Sequence, residues 1–230
     1  MRIDIVSGVP ELLTSPLQES IVRRAQEKGL AEIHVHNLRD YAHDKHKTID
    51  DTPYGGGSGM ILKPGPIFEC IEALKAQRAY DEVVFMSPEG ERLDQKLVNK
   101  LSLTQNLIVL CGHYKGVDER VREALVTREI SIGDYVLTGG ELAAAVLVDT
   151  VVRLIPGVLN ASESALTDSF QDGLLGYPEY TRPAEFRGMK VPDELLSGDH
   201  KRVGQWREEQ RLRRTKERRT DLLESQREQK

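Results

Sequence analysis

The sequence has few of the features that define secreted, membrane or metal-scaffold proteins. Its 230 residues include only two cysteines, Cys70 and Cys111, which lie far apart and outside any C-x-x-C pair. A disulfide framework or a zinc module is therefore disfavoured. The longest apolar run, residues 142–148, is far shorter than the roughly 20 residues that cross a bilayer. Asp4 and Glu11 interrupt the N-terminus where a signal peptide would be apolar. These absences predict a soluble protein of the reducing cytoplasm with no membrane partner.

Charge is distributed unevenly along the chain. Residues 200–230 contain 11 Lys and Arg against 6 Asp and Glu, a net charge of +5, whereas the preceding 199 residues have a net charge of −10. An acidic body with a basic tail indicates local attraction to a polyanion such as nucleic acid. A solvated, charged helix explains the tail equally well on charge alone.

Strand-like and helix-like segments alternate over the first two thirds of the sequence. A Pro at the first helical position (Pro16), preceded by Ser15 as a cap, predicts a helix that Gly29 ends. Short apolar runs rich in β-branched residues predict buried parallel strands; they cover residues 2–7, 33–35, 81–86 and 107–111. Repeated βα units predict an α/β fold with a mostly parallel sheet and helices on both faces.

The amino-acid composition of the sequence changes after residue 160. Residues 161–169 are mostly small and polar, which predicts a flexible linker, and we expect no further strand beyond them. Residues 199–219 predict a long helix whose large apolar groups are only Val203, Trp206 and Leu212. Such a helix is stable only when it docks on something. We therefore predict a first domain over residues 1–160 and a small basic helical domain over residues 170–230.

Three glycine-rich segments follow or adjoin the predicted strands. They cover residues 87–90, 112–116 and 131–140. In open α/β sheets, ligands bind at the carboxyl ends of strands, where glycines let the backbone approach closely. The three segments either converge on one small molecule or are simply tight βα turns.

Common cofactor and catalytic motifs are absent from the sequence. Met60 replaces the third glycine of a G-x-G-x-x-G motif that would begin at Gly55, and no phosphate loop or G-x-S-x-G elbow occurs. Dinucleotide, triphosphate and serine-hydrolase chemistry are therefore disfavoured. His43 and His46 have a loosely metal-like spacing, but their polar surroundings favour a solvated loop. We expect no metal ligand set.

Five blocks of sequence carry a resemblance to a known family. They are residues 54–60, 110–120, 131–142, 155–159 and 168–183. In this order they resemble the bacterial tRNA (guanine-N1)-methyltransferases of the TrmD type, which belong to the SPOUT class. The resemblance implies a trefoil-knotted domain, a homodimer and a basic C-terminal domain that binds tRNA. It also implies transfer of a methyl group from S-adenosylmethionine to N1 of the guanosine on the 3′ side of the anticodon.

The same resemblance assigns roles to individual residues. Asp168 is implied as the general base, Arg153 as the group that stabilises guanine O6, and Asp50, Gly59 and Arg182 as substrate-binding residues. The implied cofactor-binding residues are Met86, Ser87, Gly90, Gly112, Tyr114, Ser131, Ile132, Gly133, Tyr135, Leu137, Gly139 and Gly140. Structural alternatives exist for both catalytic residues. Arg153 is spaced for an i,i+4 ion pair with Asp149, and Asp168 with Gln171 fits a helix capping box.

The sequence also departs from the family pattern and leaves two competing functions open. Lys115 stands where many family members have Glu, so a magnesium requirement is uncertain, while His113 stands where they have Arg. A non-catalytic RNA-binding protein would explain the basic tail but would leave three ligand-type loops unused. A related methyltransferase that acts on rRNA, or on a base other than guanine, would explain the loops. It would explain Asp168 as a general base and the basic tail less well.

Overall fold

The computed structural model describes residues 1–159 and 168–228. The chain forms two compact units, Met1–Asn160 and Ala161–Lys230. Of the linker predicted over residues 161–169, all but Asp168 and Ser169 lie outside the described residues.

A five-stranded sheet forms the centre of the first unit. Its strands are β1 Arg2–Ser7, β2 Glu32–Asn37, β5 Glu82–Arg92, β6 Asn106–Cys111 and β7 Arg128–Ser131. They lie in the order β2-β1-β6-β5-β7 and all pair in parallel. The predicted α/β fold with a mostly parallel sheet is confirmed, whereas the trefoil knot stays a prediction. A separate antiparallel pair consists of β3 Asp50–Asp51 and β4 Ile61–Leu62.

Helices cover both faces of this sheet because its strands are apolar on both faces. Along β6, Leu107 and Val109 pack into one core, and Ile108 and Leu110 pack into the other. This alternation follows from the two-residue period of a strand. The helices of the unit are α1 Thr14–Leu17, α2 Ser20–Glu27, α3 Pro64–Gln77, α4 Gln95–Leu101, α5 Glu119–Leu125 and α6 Glu141–Val152, with 3-10 helices at Pro10–Leu13 and Leu38–Tyr41.

The first predicted helix is wrong at its start. Ser15 is not a cap, because it lies inside the short α1. The helical conformation is then interrupted, and α2 begins only at Ser20, whose φ is 55°. The end of the helix is as predicted: Gly29 follows α2 with a φ of 67°, a conformation that glycine adopts without strain. Local capping signals were therefore reliable at one end of this segment only.

The predicted loop at residues 87–90 is also wrong. These residues belong to β5, which shifts register so that Met86 and Glu91 both pair with Ile130. Pro88 and Gly90 mark a bulge within the strand rather than its end. The bulge redirects β5 where it borders the pocket described below.

The second unit is mainly helical, but it contains a strand pair that the sequence did not predict. The antiparallel strands are β8 Glu185–Phe186 and β9 Met189–Lys190. The helices are α7 Asp193–Leu196, α8 His200–Arg218 and α9 Thr220–Glu228. The long basic helix is thus confirmed as α8, and Asp199 caps it by accepting hydrogen bonds from Lys201 N and Arg202 N. Within the two described ranges, no helix combines the length and the apolar composition of a membrane span.

Candidate active site

One pocket of about 670 Å³ lies where β5 bulges and where β6 and β7 end. Every residue implied as cofactor-binding lines it, with the exception of Gly90. The lining residues are Phe85, Met86, Ser87, Pro88, Gly112, His113, Tyr114, Lys115, Gly116, Ile130, Ser131, Ile132, Gly133, Tyr135, Val136, Leu137, Thr138, Gly139, Gly140 and Ala143. The segments predicted to converge on one ligand therefore do surround one cavity.

Close backbone approach at the floor of the pocket requires glycine. Gly140 N donates a hydrogen bond of 2.7 Å to Gly112 O. A Cβ atom on Gly140 would lie 3.0 Å from both Cys111 Cα and Gly112 N. Gly140 therefore lets the start of α6 pack directly on the end of β6, so backbone rather than side chains forms this wall.

Gly90 contributes to the site from outside the cavity. A Cβ atom on Gly90 would lie 2.4 Å from Glu129 C and Ile130 N, both of which are backbone atoms of β7. Only glycine permits this contact between the bulged part of β5 and β7. Its role is to hold together the two strands that border the pocket.

Hydrogen bonds within the segment from Ser131 to Tyr135 shape the part of the pocket that this segment lines. Ser131 Oγ donates to Gly133 O at 3.0 Å and accepts from Gly133 N at 3.2 Å, and the Tyr135 hydroxyl donates to Ile132 O at 3.3 Å. Tyr135 packs over Gly133, where a Cβ atom would lie 2.6 Å from the ring. The segment presents peptide groups and an aromatic ring, which suit a flat heteroaromatic ligand.

A buried carboxylate lies behind the pocket. Glu141, in the first turn of α6, is 1% exposed and accepts a hydrogen bond of 2.7 Å from Ser7 Oγ. Its other oxygen lies 3.4 Å from His113 Nδ1 across Gly139, where a Cβ atom would come within 2.4 Å of both groups. Burial, and next the charge of Glu141, raise the pKa of the Cys111 thiol well above its usual value.

Two of the implied substrate residues lie on or beside the β3–β4 pair. Asp50 is half-buried and pairs with Leu62, while Gly59 lies in the connecting loop with a φ of 95°. The Lys115 side chain packs against this loop, since its Cβ lies 3.5 Å from the position of a Cβ on Gly59. Lys115 N also donates to Met60 O at 3.0 Å. Because Lys115 lines the pocket as well, this loop borders the pocket.

The two implied catalytic residues belong to different units. Arg153 is the half-buried C-cap of α6, and its N–H donates to Asp149 O at 3.2 Å. Asp168 is half-buried in a segment of bends and turns over residues 168–174. No helix starts within that described segment, so the capping-box alternative for Asp168 and Gln171 is wrong.

The second unit combines aromatic rings with arginines around α8. Arg207 lies 4.7 Å from the centre of the Tyr177 ring, and the Tyr180 and Trp206 rings are 6.3 Å apart. Thr215 is one of its contacts: it is fully buried and accepts a hydrogen bond from Leu175 N at 3.0 Å, whereas Leu212 is 40% exposed. A polar residue therefore contributes to the docking predicted for this helix.

Charges on α8 are divided between internal contacts and the surface. The guanidinium of Arg211 binds Asp172 and Glu208, and its side chain is only 15% exposed. Arg211 therefore anchors α8 rather than offering its charge to a polyanion. Arg182, the third implied substrate residue, is exposed.

Several lining residues were not singled out as ligand-binding from the sequence. Phe85, Pro88, Thr138 and Ala143 are examples. Thr138 lies between Leu137 and Gly139 in a glycine-rich segment that was already predicted to bind a ligand, so its position in that segment could have identified it. Nothing in the sequence could have identified Phe85 and Ala143 as ligand-binding, because an apolar residue in a strand or helix is typical of any core.

Fold and pocket together define an α/β protein with a ligand site at the carboxyl end of a parallel sheet. Comparison with known proteins specifies the family. The family model for tRNA (Guanine-1)-methyltransferase TrmD matches residues 1–225, and the chain belongs to this family. The family predicted by the resemblance, and with it the enzyme class, is confirmed.

Curated relatives match over nearly the whole chain. A tRNA (guanine-N(1)-)-methyltransferase of Bacteroides thetaiotaomicron is 60% identical over 224 residues, which cover 97% of this chain and all of the relative. Proteins with the same name from Flavobacterium psychrophilum and Chlorobaculum tepidum are each 58% identical, covering 98% and 97% of this chain and 100% and 97% of their own lengths. Family membership therefore extends over both units.

Proposed function

We propose that this protein transfers a methyl group from S-adenosylmethionine to N1 of guanine in tRNA, at the guanosine on the 3′ side of the anticodon. The observation that carries the proposal is that the segments predicted to bind the cofactor line one pocket in a chain of the TrmD family. We further propose that the protein acts in the cytoplasm as a homodimer.

The pocket fits S-adenosylmethionine in its chemistry. It is lined largely by glycine and apolar residues, with a few polar groups among them. Peptide groups of residues 112 and 131–140 can pair with an adenine edge, and Tyr135 and Leu137 can cover its face. S-Adenosylmethionine has no phosphate, which agrees with the absence of a phosphate-loop motif. When bound, it supplies an electrophilic methyl group next to a positive sulfonium.

The reaction requires a base and a cation at the guanine. N1 of guanine carries a proton at neutral pH, and removing it places negative charge on O6. We assign the proton to the Asp168 carboxylate and the stabilisation of O6 to the Arg153 guanidinium. N1 then accepts the methyl group as the bond between that group and sulfur breaks, which would leave a neutral thioether. A carboxylate is a weak base for so weak an acid, so most of the acceleration must come from positive charge near O6.

Binding of tRNA is proposed to involve the second unit. Exposed basic side chains of α8, such as Arg207, Arg213 and Lys216, can neutralise phosphates. The Tyr177 ring lies beside Arg207, and the Tyr180 and Trp206 rings lie beside each other; such rings suit unpaired bases. Asp50, Gly59 and Arg182 are proposed to contact the target guanosine and its neighbours.

Methyl transfer from labelled S-adenosylmethionine to a defined tRNA transcript tests the proposal. We expect transfer to a transcript with guanosine beside the anticodon and none when adenosine replaces it. Arg153→Ala and Asp168→Asn should each lower turnover by a factor on the order of 100 or more. Near-normal turnover of the arginine variant would contradict the assigned mechanism.

Asp149→Asn is the matched control for Arg153. It removes the carboxylate that is spaced for an i,i+4 ion pair with Arg153 but keeps the guanidinium, and Asp149 is exposed. We expect near-normal turnover in this variant if Arg153 acts on O6. Calorimetry with S-adenosylmethionine addresses the competing function, because a non-catalytic RNA-binding protein should show no heat of binding.

A further inference from the structure

One aromatic residue of the first unit is fully exposed on the loop that borders the pocket. Tyr54 has a relative exposure of 101% and lies in the loop between β3 and β4. A tyrosine this exposed has no folding role for its ring, since it buries no apolar surface in the described chain. Its place on this loop gives the ring a different use.

The chain holds Tyr54 at the apex of a defined turn. Gly56 N donates to Pro53 O at 3.2 Å, which closes a four-residue turn with Tyr54 at its second position. Gly55 follows with a φ of 84°, the positive value that the third position of a type II turn requires. A Cβ atom added to Gly55 or Gly56 would meet no other atom within 4 Å, so the turn beside the ring is open to a ligand.

A cationic side chain lies against this loop. The Lys115 ammonium lies 3.8 Å from the position of a Cβ on Gly57, and Lys115 also lines the pocket. Arg120, by contrast, is engaged by Asp118 through two hydrogen bonds of 2.8 Å. Lys115 therefore places a positive charge beside both the loop and the pocket, which favours an anionic ligand there.

A guanine can react at N1 only when its Watson–Crick edge reaches the methyl donor, and enzymes that modify a base commonly take it out of its stack to do so. The neighbouring base then loses a stacking partner. Unpaired RNA bases are commonly bound by stacking on aromatic rings, with cations nearby for the phosphates. Tyr54 provides such a ring, and Lys115, which contacts the same loop, provides a cation.

We propose that Tyr54 is a stacking platform for a nucleotide that flanks the target guanosine, with Lys115, which contacts the same loop, for a backbone phosphate. The inference rests on the proposed function, because it takes tRNA as the substrate. It adds an aromatic positioning residue to the loop that contains Gly59.

Two substitutions of Tyr54, one that removes the aromatic ring and one that keeps it, test the inference. Tyr54→Ala should raise KM for a tRNA transcript on the order of tenfold at fixed salt, because one base–ring stack is lost. Tyr54→Phe keeps the face and should leave KM within about twofold of the unsubstituted protein. Affinity for S-adenosylmethionine should be unchanged in both variants, which shows that the pocket is intact.

The salt dependence of tRNA binding separates the ring from the cations. Lys115→Met should lower the slope of log affinity against log salt by about one, whereas Tyr54→Ala should leave the slope unchanged. Equal losses in the Phe and Ala variants would overturn the inference, because the hydroxyl and not the ring would then matter.

Two further outcomes identify what has failed. A normal KM for Tyr54→Ala, with an active unsubstituted protein, would overturn this inference alone, whereas an inactive unsubstituted protein would overturn the proposed function. A change in oligomeric state of Tyr54→Ala on size-exclusion chromatography, with KM unaffected, would also overturn the inference and assign the ring to a protein interface.

Discussion

Ser7 and Glu141 join the end of β1 to the start of α6 through a buried hydrogen bond of 2.7 Å between Ser7 Oγ and Glu141 Oε1. Both residues are almost completely buried. A carboxylate removed from water needs such partners, and the N-terminal end of a helix adds favourable dipoles. The same carboxylate faces His113, so this contact links the core of the sheet to a lining residue of the pocket.

Replacing Glu141 should therefore destabilise the fold as well as the pocket. We expect Glu141→Ala to lower the free energy of unfolding by about 2–4 kcal/mol, because it leaves a cavity and an unsatisfied Ser7 hydroxyl. Glu141→Gln keeps the volume and an acceptor for Ser7, so it should cost about half as much. Urea unfolding monitored by circular dichroism measures both values. Wild-type stability of the alanine variant would contradict this role.

The sequence predicted the parts of this fold that local pattern determines. The β6 run is apolar on both faces, which is typical of a central parallel strand, and the structure places it there. The bulge in β5 was missed because Pro88 and Gly90 also occur in turns, and only the distant β7 backbone shows why Gly90 is needed. The Glu141–His113 contact was missed for a similar reason: an acid in the first turn of a helix is ordinarily exposed.

Gly90 provides a prediction about the bulge. Gly90→Ala places a Cβ atom 2.4 Å from backbone atoms of β7, which cannot rotate away. We expect a loss of about 2–3 kcal/mol in the stability of the first unit and weaker binding of S-adenosylmethionine, because β5 and β7 border the pocket.

A second glycine is the matched control. Gly204 lies inside α8, and a Cβ atom added there would meet no other atom within 4 Å outside the helix backbone. Gly204→Ala should stabilise the second unit by roughly 0.5–1 kcal/mol, because alanine is the better helix former. Scanning calorimetry distinguishes the two variants by the sign of the change. A Gly90→Ala protein as stable as the unsubstituted one would show that the two strands can separate without cost.

Both cysteines should be unreactive in the native protein. Cys70 and Cys111 have no exposed surface, and burial raises the pKa of the Cys70 thiol to about 12. The thiolate is the reactive form, so both access and ionisation are suppressed near pH 8. We expect Ellman's reagent to titrate two thiols in guanidinium chloride and to react with neither in native protein over minutes. Fast reaction of one thiol would place it in a segment that opens readily.

The last prediction concerns a buried ionic cluster at Asp4 in β1. Its side chain is fully buried and accepts hydrogen bonds from Arg2 Nε and the Tyr80 hydroxyl, each at 2.7 Å, while His36 Nε2 lies 2.7 Å from its other oxygen. Burial by itself raises the pKa of Asp4, but the hydrogen bonds from His36, Arg2 and Tyr80 together outweigh it and hold the pKa well below its usual value.

A carboxyl group with a depressed pKa in the folded state contributes stability above its pKa in the unfolded chain, which is about 3.9. That contribution is lost as the pH falls below this value towards the folded pKa. Unfolding free energies at pH 6 and pH 3 should therefore differ less for Asp4→Asn than for the unsubstituted protein. At pH 6 the substitution should lower the free energy of unfolding by about 3 kcal/mol, because Arg2 stays largely buried without its partner.

Tyr80→Phe is the control. It removes one hydrogen bond but leaves the charge of Asp4, so it should cost about 1–2 kcal/mol while retaining most of the pH dependence. An Asp4→Asn protein whose stability falls as steeply with acid as that of the unsubstituted protein would assign the acid sensitivity to other carboxylates.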